Sequence, residues 1–361
     1  MVDLDAIRHN VRAVKPERSE FMAVVKANGY GHGAAPVARA ALEAGATWLG
    51  VALVEEGVSL REAGLAAPIL VLTEFPPGSE KDALAAGLTP TLYTDEGLSR
   101  LSSSGRPEEA AIGAHVKIDT GMHRVGLPPE RAVEYLRAVA EAGLRIDGVW
   151  THLATAEKLD DPFAERQLDR FADVVRGLAA AGIRPRYLHA ANSAAAIARP
   201  SAHLDLVRVG LAMYGLTPGP RLAGPAALRP AMSLRSAVAM AKRVGPGEGV
   251  SYGLRYRLER ESTIATIPVG YADGYSRLVS GRAEVLVRGR RYSVAGNVTM
   301  DQVMVDCGND PVEAGDEVVL IGRQAGEEIS ADDVAAWMGT ISYEVMCAVS
   351  QRIPREYVGA R

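Results

Sequence analysis

Cysteine is almost missing from this chain of 361 residues: Cys307 and Cys347 stand alone, with no CxxC pair. That argues against a disulfide framework or a zinc site, and makes a reducing cytoplasm the natural compartment. Long apolar runs are missing too. No stretch of about 18 uninterrupted apolar residues occurs, so no transmembrane helix is expected. The opening "MVDLDAIRHN" is charged from its third residue and carries no secretory apolar region. Positive charge is not in excess either, since 40 Lys and Arg face 44 Asp and Glu. A net charge of −4 offers no footprint for nucleic acid or an anionic membrane. Low-complexity tracts are absent. What is present is ordinary: 48% apolar and 23% charged residues, in a chain long enough for two domains.

From residue 20 to about 210, short β-rich runs alternate with stretches of helical period. The strands read as "EFMAVVK", "TWLGVAL", "PILVL", "LTPTLY", "AHVKID", "IDGVWTH", "RYLHAA" and "LDLVRVG". Helices such as "APVARAALEAG" and "PPERAVEYLRAVAEAG" lie between them and end in Gly, as a left-handed C-cap prefers. Eight strands alternating with helices predict an α/β fold, a (β/α)₈ barrel. A doubly wound sheet would show the same alternation. Residues 215–232 carry four prolines and three glycines, which reads as a linker or covering loop. Beyond it short strands follow one another, "SLRSAVAMAKRV" first, and only "SADDVAAWMG" reads as a helix, N-capped by Ser330. The predicted domains are therefore a barrel over 1–228 and a mostly β domain over 229–361.

Barrel enzymes gather their chemistry where strands end, and polar residues cluster at those ends here. Lys26 ends the first strand, in "AVVKANGYGHG". Lys117, Asp119 and Arg124 close the fifth, His152 the sixth, Asn192 and Ser193 follow the seventh, and Arg208 with Gly210 ends the eighth. Taken singly, each has a plainer reading. A strand-end lysine is commonly a surface charge, His152 a hydrogen-bonded core histidine, and Asn192-Ser193 a helix cap. The same helix start would also make a phosphate site. Arg208 would serve as an ion-pair partner, and it cannot accept a proton. Five clusters at one mouth are harder to explain away.

In order along the chain, "AVVKANGYGHG", "VKIDTGMHRVG", "THLATA", "HAANSAA", "VRVGLAMYG", "VSYGLRY", "PVGYADGYSR" and "TMDQ" resemble the alanine racemases. These are pyridoxal-phosphate (PLP) enzymes with a barrel followed by a β domain, and the resemblance covers nearly the whole chain. It implies that Lys26 holds PLP as a Schiff base and acts as one racemisation base. Tyr252 resembles the second base, supplied by the other subunit of a homodimer. Arg208 is similar to the arginine facing the pyridine nitrogen, and His152 to the histidine supporting it. The resemblance gives the phosphate Tyr30, Ser193, Tyr343 and the amides of Gly210 and Leu211. It places Arg124 and the Met300 amide at the substrate carboxylate and Tyr271 at the entrance. Lys117 matches a lysine that is carbamylated in many members. No metal is implied.

The chemistry suits these residue types. Racemisation removes the Cα proton from one face and returns one to the other, so two bases suffice. An arginine opposite the pyridine nitrogen donates only, which leaves that nitrogen unprotonated and limits stray protonation of the cofactor. Two other readings are weighed against this. A barrel-type PLP decarboxylase would place an acidic residue opposite the nitrogen, and a PLP carrier would resemble the barrel alone. Serine is the rival substrate to alanine. The implied role is D-alanine supply for peptidoglycan in a bacterial cytoplasm. Two departures stand out. Relatives begin with about ten further residues forming a strand of the β domain, which predicts an exposed edge here. Asn297, in "GNVTMDQ", replaces an arginine at the approach to the site.

Overall fold

The computed structural model describes residues 1–104, 112–222, 224 and 226–360. Ala223 and Pro225 of the predicted covering loop, and the last residue of the predicted β domain, lie outside the described residues. The chain divides into two compact units. One is built from residues 5–29 and 33–229, the other from 1–4, 30–32 and 230–361.

The first unit is the barrel. Its strands are β1 (Glu20–Val24), β2 (Trp48–Val51), β3 (Ile69–Val71), β4 (Thr91–Leu92), β5 (Gly113–Lys117), β6 (Arg145–Trp150), β7 (Tyr187–His189) and β8 (Leu206–Val209). All pair in parallel, as two four-stranded sheets ordered β3-β2-β1-β8 and β4-β5-β6-β7. The seams close the ring. Leu70 and Thr89 form a parallel bridge between β3 and the approach to β4, and the Arg208 amide reaches the Ala191 carbonyl at 3.0 Å. Helices such as Ala132–Glu141 and Phe163–Ala180 end before Gly143 and Gly182, both at positive φ as expected.

Barrel interiors are usually filled by branched aliphatic layers. This one carries an aromatic and imidazole column: Trp48 lies 5.2 Å from His115 and 5.4 Å from Tyr187, and Trp150 stacks on His189 at 5.6 Å. Room is made by Gly148, where an added Cβ would come within 2.3 Å of the His115 ring.

In the second unit the main sheet runs β9-β15-β12-β13-β14-β11-β10, all antiparallel. The strands are β9 (Leu234–Ala237), β10 (Met240–Val244), β11 (Ser262–Ile267), β12 (Glu284–Val287), β13 (Arg290–Val294), β14 (Val303–Asp306) and β15 (Glu317–Gln324). The run read as one strand, "SLRSAVAMAKRV", is thus two, which leave for opposite edges of the sheet. Edge strand β10 is largely exposed and carries Lys242 and Arg243, charges that discourage edge-to-edge pairing. Val2–Asp3 pairs in parallel with Tyr357–Val358 inside this unit. Ser330 caps Ala331–Met338, accepting from the Asp333 amide. A second helix, Ser342–Ala348, was not foreseen. At seven residues its sequence is too short to read as one.

Candidate active site

Strand β1 stops at Val24, two residues before Lys26, which opens a left-handed turn instead of ending the strand. Ala27 (φ 52°, ψ 49°), Asn28 (51°, 48°) and Gly29 (62°, 45°) share that conformation, and Tyr30 and Gly31 also have positive φ. Each residue with a Cβ costs about 1–2 kcal/mol there, less for Asn. Hydrogen bonds offset the strain. The Ala27 amide donates to Glu56 Oε1 at 2.6 Å, Asn28 Oδ1 accepts from Ala34 N at 3.0 Å, and Gly33 N reaches Asn28 O at 2.8 Å. Such concentrated strain is characteristic of functional loops. It sets a half-buried lysine at the barrel mouth.

The other barrel residues assemble around Arg208, which lies within β8 and is buried. Its guanidinium donates from Nη2 to the carbonyls of Thr151 (2.7 Å) and Ala190 (3.1 Å) and to His152 Nδ1 (3.2 Å). Nη1 donates to His189 Nδ1 at 3.1 Å. Its plane lies over Trp150, 4.6 Å from the ring centroid. Among the described residues it makes no ion pair with a carboxylate. Burial pushes its pKa down to about 9, so it remains charged at neutral pH.

Because arginine only donates, the tautomers follow. His189 accepts at Nδ1, so its proton is on Nε2 and donates to His115 Nδ1 at 2.9 Å. His115 then carries its proton on Nε2, which is buried without a partner among the described residues. Burial drives His189 well below the usual imidazole range and His115 down to about 4. His152 is also held far down, by burial first and then by the charges of Arg208, Arg124, Lys117 and Lys26. Four cations thus bear on one imidazole, an arrangement suited to anionic ligands.

Lys117 ends β5 as expected, buried, with its Nζ 4.8 Å from the centroid of the Trp150 ring. Burial and then the charges of Arg124 and Arg208 lower its pKa from 10.5 to about 8. A base with a lowered folded-state pKa penalises folding fully below that pKa, and the penalty fades as pH rises to the unfolded value. Here the penalty amounts to roughly 3 kcal/mol at neutral pH and fades between pH 8 and 10.5. Lys117→Met is therefore expected to stabilise the protein by about 1–3 kcal/mol at pH 7 and by less at pH 10. Urea unfolding in CO₂-free buffer checks this, and a difference that does not change with pH contradicts it.

Ser193 begins the helix Ser193–Ala198 and is buried, while Asn192 caps that helix through the Ala195 amide. Ser193 Oγ accepts from the amides of Gly210 (3.1 Å) and Ala212 (3.3 Å) at the start of a 3₁₀ turn, Leu211–Tyr214. Ala212 was not foreseen. With its oxygen accepting from two amides, the Ser193 hydroxyl keeps its proton to donate, which suits an oxyanion. Arg124 is exposed beyond β5.

The remaining predicted residues lie in the second unit. Tyr30 and Tyr343, both expected at the phosphate, come together with ring centroids 6.4 Å apart. Gly31 is locked beside them. An added Cβ would come within 2.2 Å of the Met346 carbonyl, and Arg355 donates to Gly31 O at 3.0 and 3.1 Å. Tyr252 is 74% exposed in the loop joining the paired segments Gly249–Val250 and Tyr256–Arg257. Tyr271 and Met300 are exposed as well, joined by neighbouring bonds: Tyr271 N to Thr299 O and Ala272 N to Met300 O, each 3.0 Å.

Residues 2–218 match the model of the alanine racemase N-terminal domain, and residues 231–357 that of the C-terminal domain. The chain belongs to the alanine racemase family. An alanine racemase of Symbiobacterium thermophilum is 51% identical, over 99% of this chain and 96% of that protein. One from Desulforamulus reducens is 45% identical, over 99% and 98%. The crystal structure of alanine racemase from D-cycloserine-producing Streptomyces lavendulae superposes with a TM-score of 0.94 at 42% identity, covering 100% of this chain and 96% of that one. That from Bacillus anthracis with bound L-Ala-P gives 0.92 at 39%, covering 99% and 94%. Membership carries the enzyme class and the cofactor: a PLP-dependent isomerase that interconverts L- and D-alanine.

The residues fit that cofactor. The barrel strands and the turns after them carry an amine (Lys26), a hydroxyl set to donate to an oxyanion (Ser193) and a buried donor-only cation (Arg208). Sequence reading missed His115, His189, Trp150 and Thr151, which support Arg208 from below. Strand alternation held a signal, because His115 stands two residues before Lys117 and so shares its face.

Proposed function

We propose that the enzyme racemises alanine with two bases, Lys26 on one face of Cα and Tyr252 of a second copy on the other. The donor set around Arg208 carries this reading. When bound, PLP supplies an aldehyde carbon for the substrate amine and a conjugated ring that spreads the electron pair left on Cα. Ser193, Tyr30, Tyr343 and the amides of Gly210 and Leu211 would hold its phosphate. Arg208 would donate to the ring nitrogen and leave it unprotonated, and neutral His152 supports the guanidinium. Arg124 and the Met300 amide orient the substrate carboxylate, while Tyr271 narrows the entrance. Lys26 Nζ takes or returns the Cα proton on its face, and Tyr252 Oη does so on the opposite face.

Lys117 adds through its neutral amine to CO₂. The N–C bond forms, a proton leaves, and the resulting carbamate anion orients Arg124. A buried lysine whose pKa is lowered to about 8 supports this.

Dimerisation is supported by the large apolar side chains left exposed in the second unit, including Tyr252 (74%), Leu278 (63%), Ile341 (60%) and Met300 (53%). Tyrosines at the entrance favour a small side chain, which suits alanine. Among the described residues no helix is long and apolar enough to cross a membrane. We place the enzyme in a bacterial cytoplasm, feeding D-alanine to peptidoglycan.

Mixing tests the shared site. Lys26→Ala and Tyr252→Phe proteins, each inactive, are unfolded together and refolded. Half of the dimers become mixed, each with one intact site, so about a quarter of wild-type activity returns. No recovery from a mixture shown to contain mixed dimers would place both bases on one chain.

A further inference from the structure

The loop that presents Tyr252 is held in an unusual way. Ser251 has φ 64° and ψ −177°, a conformation nearly restricted to glycine. Leu254 (φ 47°) also has positive φ, so two of the five residues between Val250 and Tyr256 are in backbone regions disfavoured for side chains, and Gly253 (φ 75°) supplies the turn between them. Such a loop keeps its shape only if its surroundings fix it.

Asn297 does so. Its Nδ2 donates to the Tyr252 carbonyl at 2.7 Å, and Ser251 Oγ donates back to the Asn297 carbonyl, also at 2.7 Å. A carbonyl only accepts, so the amide orientation of Asn297 is set by chemistry. Asn297 is 9% exposed, and the two strands of chain touch closely. At the preceding Gly296 an added Cβ would come within 2.6 Å of the Val250 carbonyl. Val250 and Ala295 share one buried cluster with Leu258 and Ile264, which anchors both segments. The same stretch, 296–300, also ties down Tyr271 and carries Met300.

We propose that Asn297 and Ser251 form a reciprocal clasp that positions Tyr252 for proton transfer. Asn297 touches no reacting atom and is a positioning residue. The inference rests on Tyr252 being a racemisation base.

Racemisation is two proton transfers in series, one on each face. Loosening Tyr252 slows only the transfer on its face. In the holoenzyme, Asn297→Ala and Asn297→Asp are each expected to lower kcat about 10- to 100-fold in both directions, since small displacements cost that much. Asp keeps the size and loses the donor, which separates the clasp from packing. The primary isotope effect on α-deuterated alanine rises for the enantiomer whose Cα–H faces Tyr252 and falls toward one for the other. A loss of folded enzyme moves neither. In the apo-protein, amide hydrogen exchange across residues 250–257 quickens in both variants. Wild-type isotope effects for both enantiomers in Asn297→Asp, while Tyr252→Phe is inactive, would overturn the clasp alone. A fully active Tyr252→Phe would overturn the base assignment and the clasp with it.

Discussion

Lys26→Ala protein supplied with PLP is expected to lose racemisation by more than about 10⁴-fold, because in the proposed mechanism one side chain both anchors the cofactor and moves a proton. General acid–base catalysis alone contributes up to about 10⁴-fold, and losing the covalent link adds to that. Borohydride should fix PLP to the wild-type peptide containing Lys26 and leave the variant unmodified. The turn after Lys26 explains why no neighbour can stand in. Ala27 and Asn28 follow in the left-handed conformation, bonded to Glu56 and Ala34, so the chain leaves β1 in one direction. Methylamine, which replaces the lost amine without its tether, should restore a small part of the rate. Full activity without Lys26 would end the account of this mouth.

Tyr252→Phe has the second large effect, and a different signature. Removing one hydroxyl leaves Lys26 able to take and return a proton on its own face. Racemisation should fall by about 10²- to 10⁴-fold, the usual contribution of a positioned acid or base. In D₂O, one enantiomer of alanine should still exchange its Cα hydrogen with retained configuration while the other does not. That asymmetry separates a missing base from a damaged site, which would slow both exchanges together. The exposure of Tyr252 means that phenylalanine costs the subunit little stability.

Much of this is legible in the sequence. Eight β-rich runs gave eight strands because parallel strands buried on both faces read as apolar runs. Lys117, Ser193 and Arg208 stood out because polar clusters follow five of the barrel strands and meet at one mouth, although each alone has a plainer reading. Other features depend on packing between distant segments. His115 and His189 look like ordinary strand residues until the barrel closes and Arg208 sets their tautomers. Ala27 gives no local sign of a left-handed turn, and Asn28-Gly29 with Gly31 and Gly33 suggest only a loose one. Tyr343 was expected at the site without the helix that carries it. Asn297 drew notice for the arginine it replaces, yet the bond it makes, to a carbonyl 45 residues away, is invisible in either segment alone.

The most direct measurement of the two-base claim uses the wild-type enzyme with PLP and L-alanine in D₂O, following Cα deuteration and chirality together. Two bases of different identity predict that every D-alanine formed carries solvent deuterium, while recovered L-alanine becomes deuterated as the reaction reverses. Product D-alanine that retains the original Cα hydrogen throughout would mean that one group carries the proton across both faces, and would contradict the assignment of Lys26 and Tyr252.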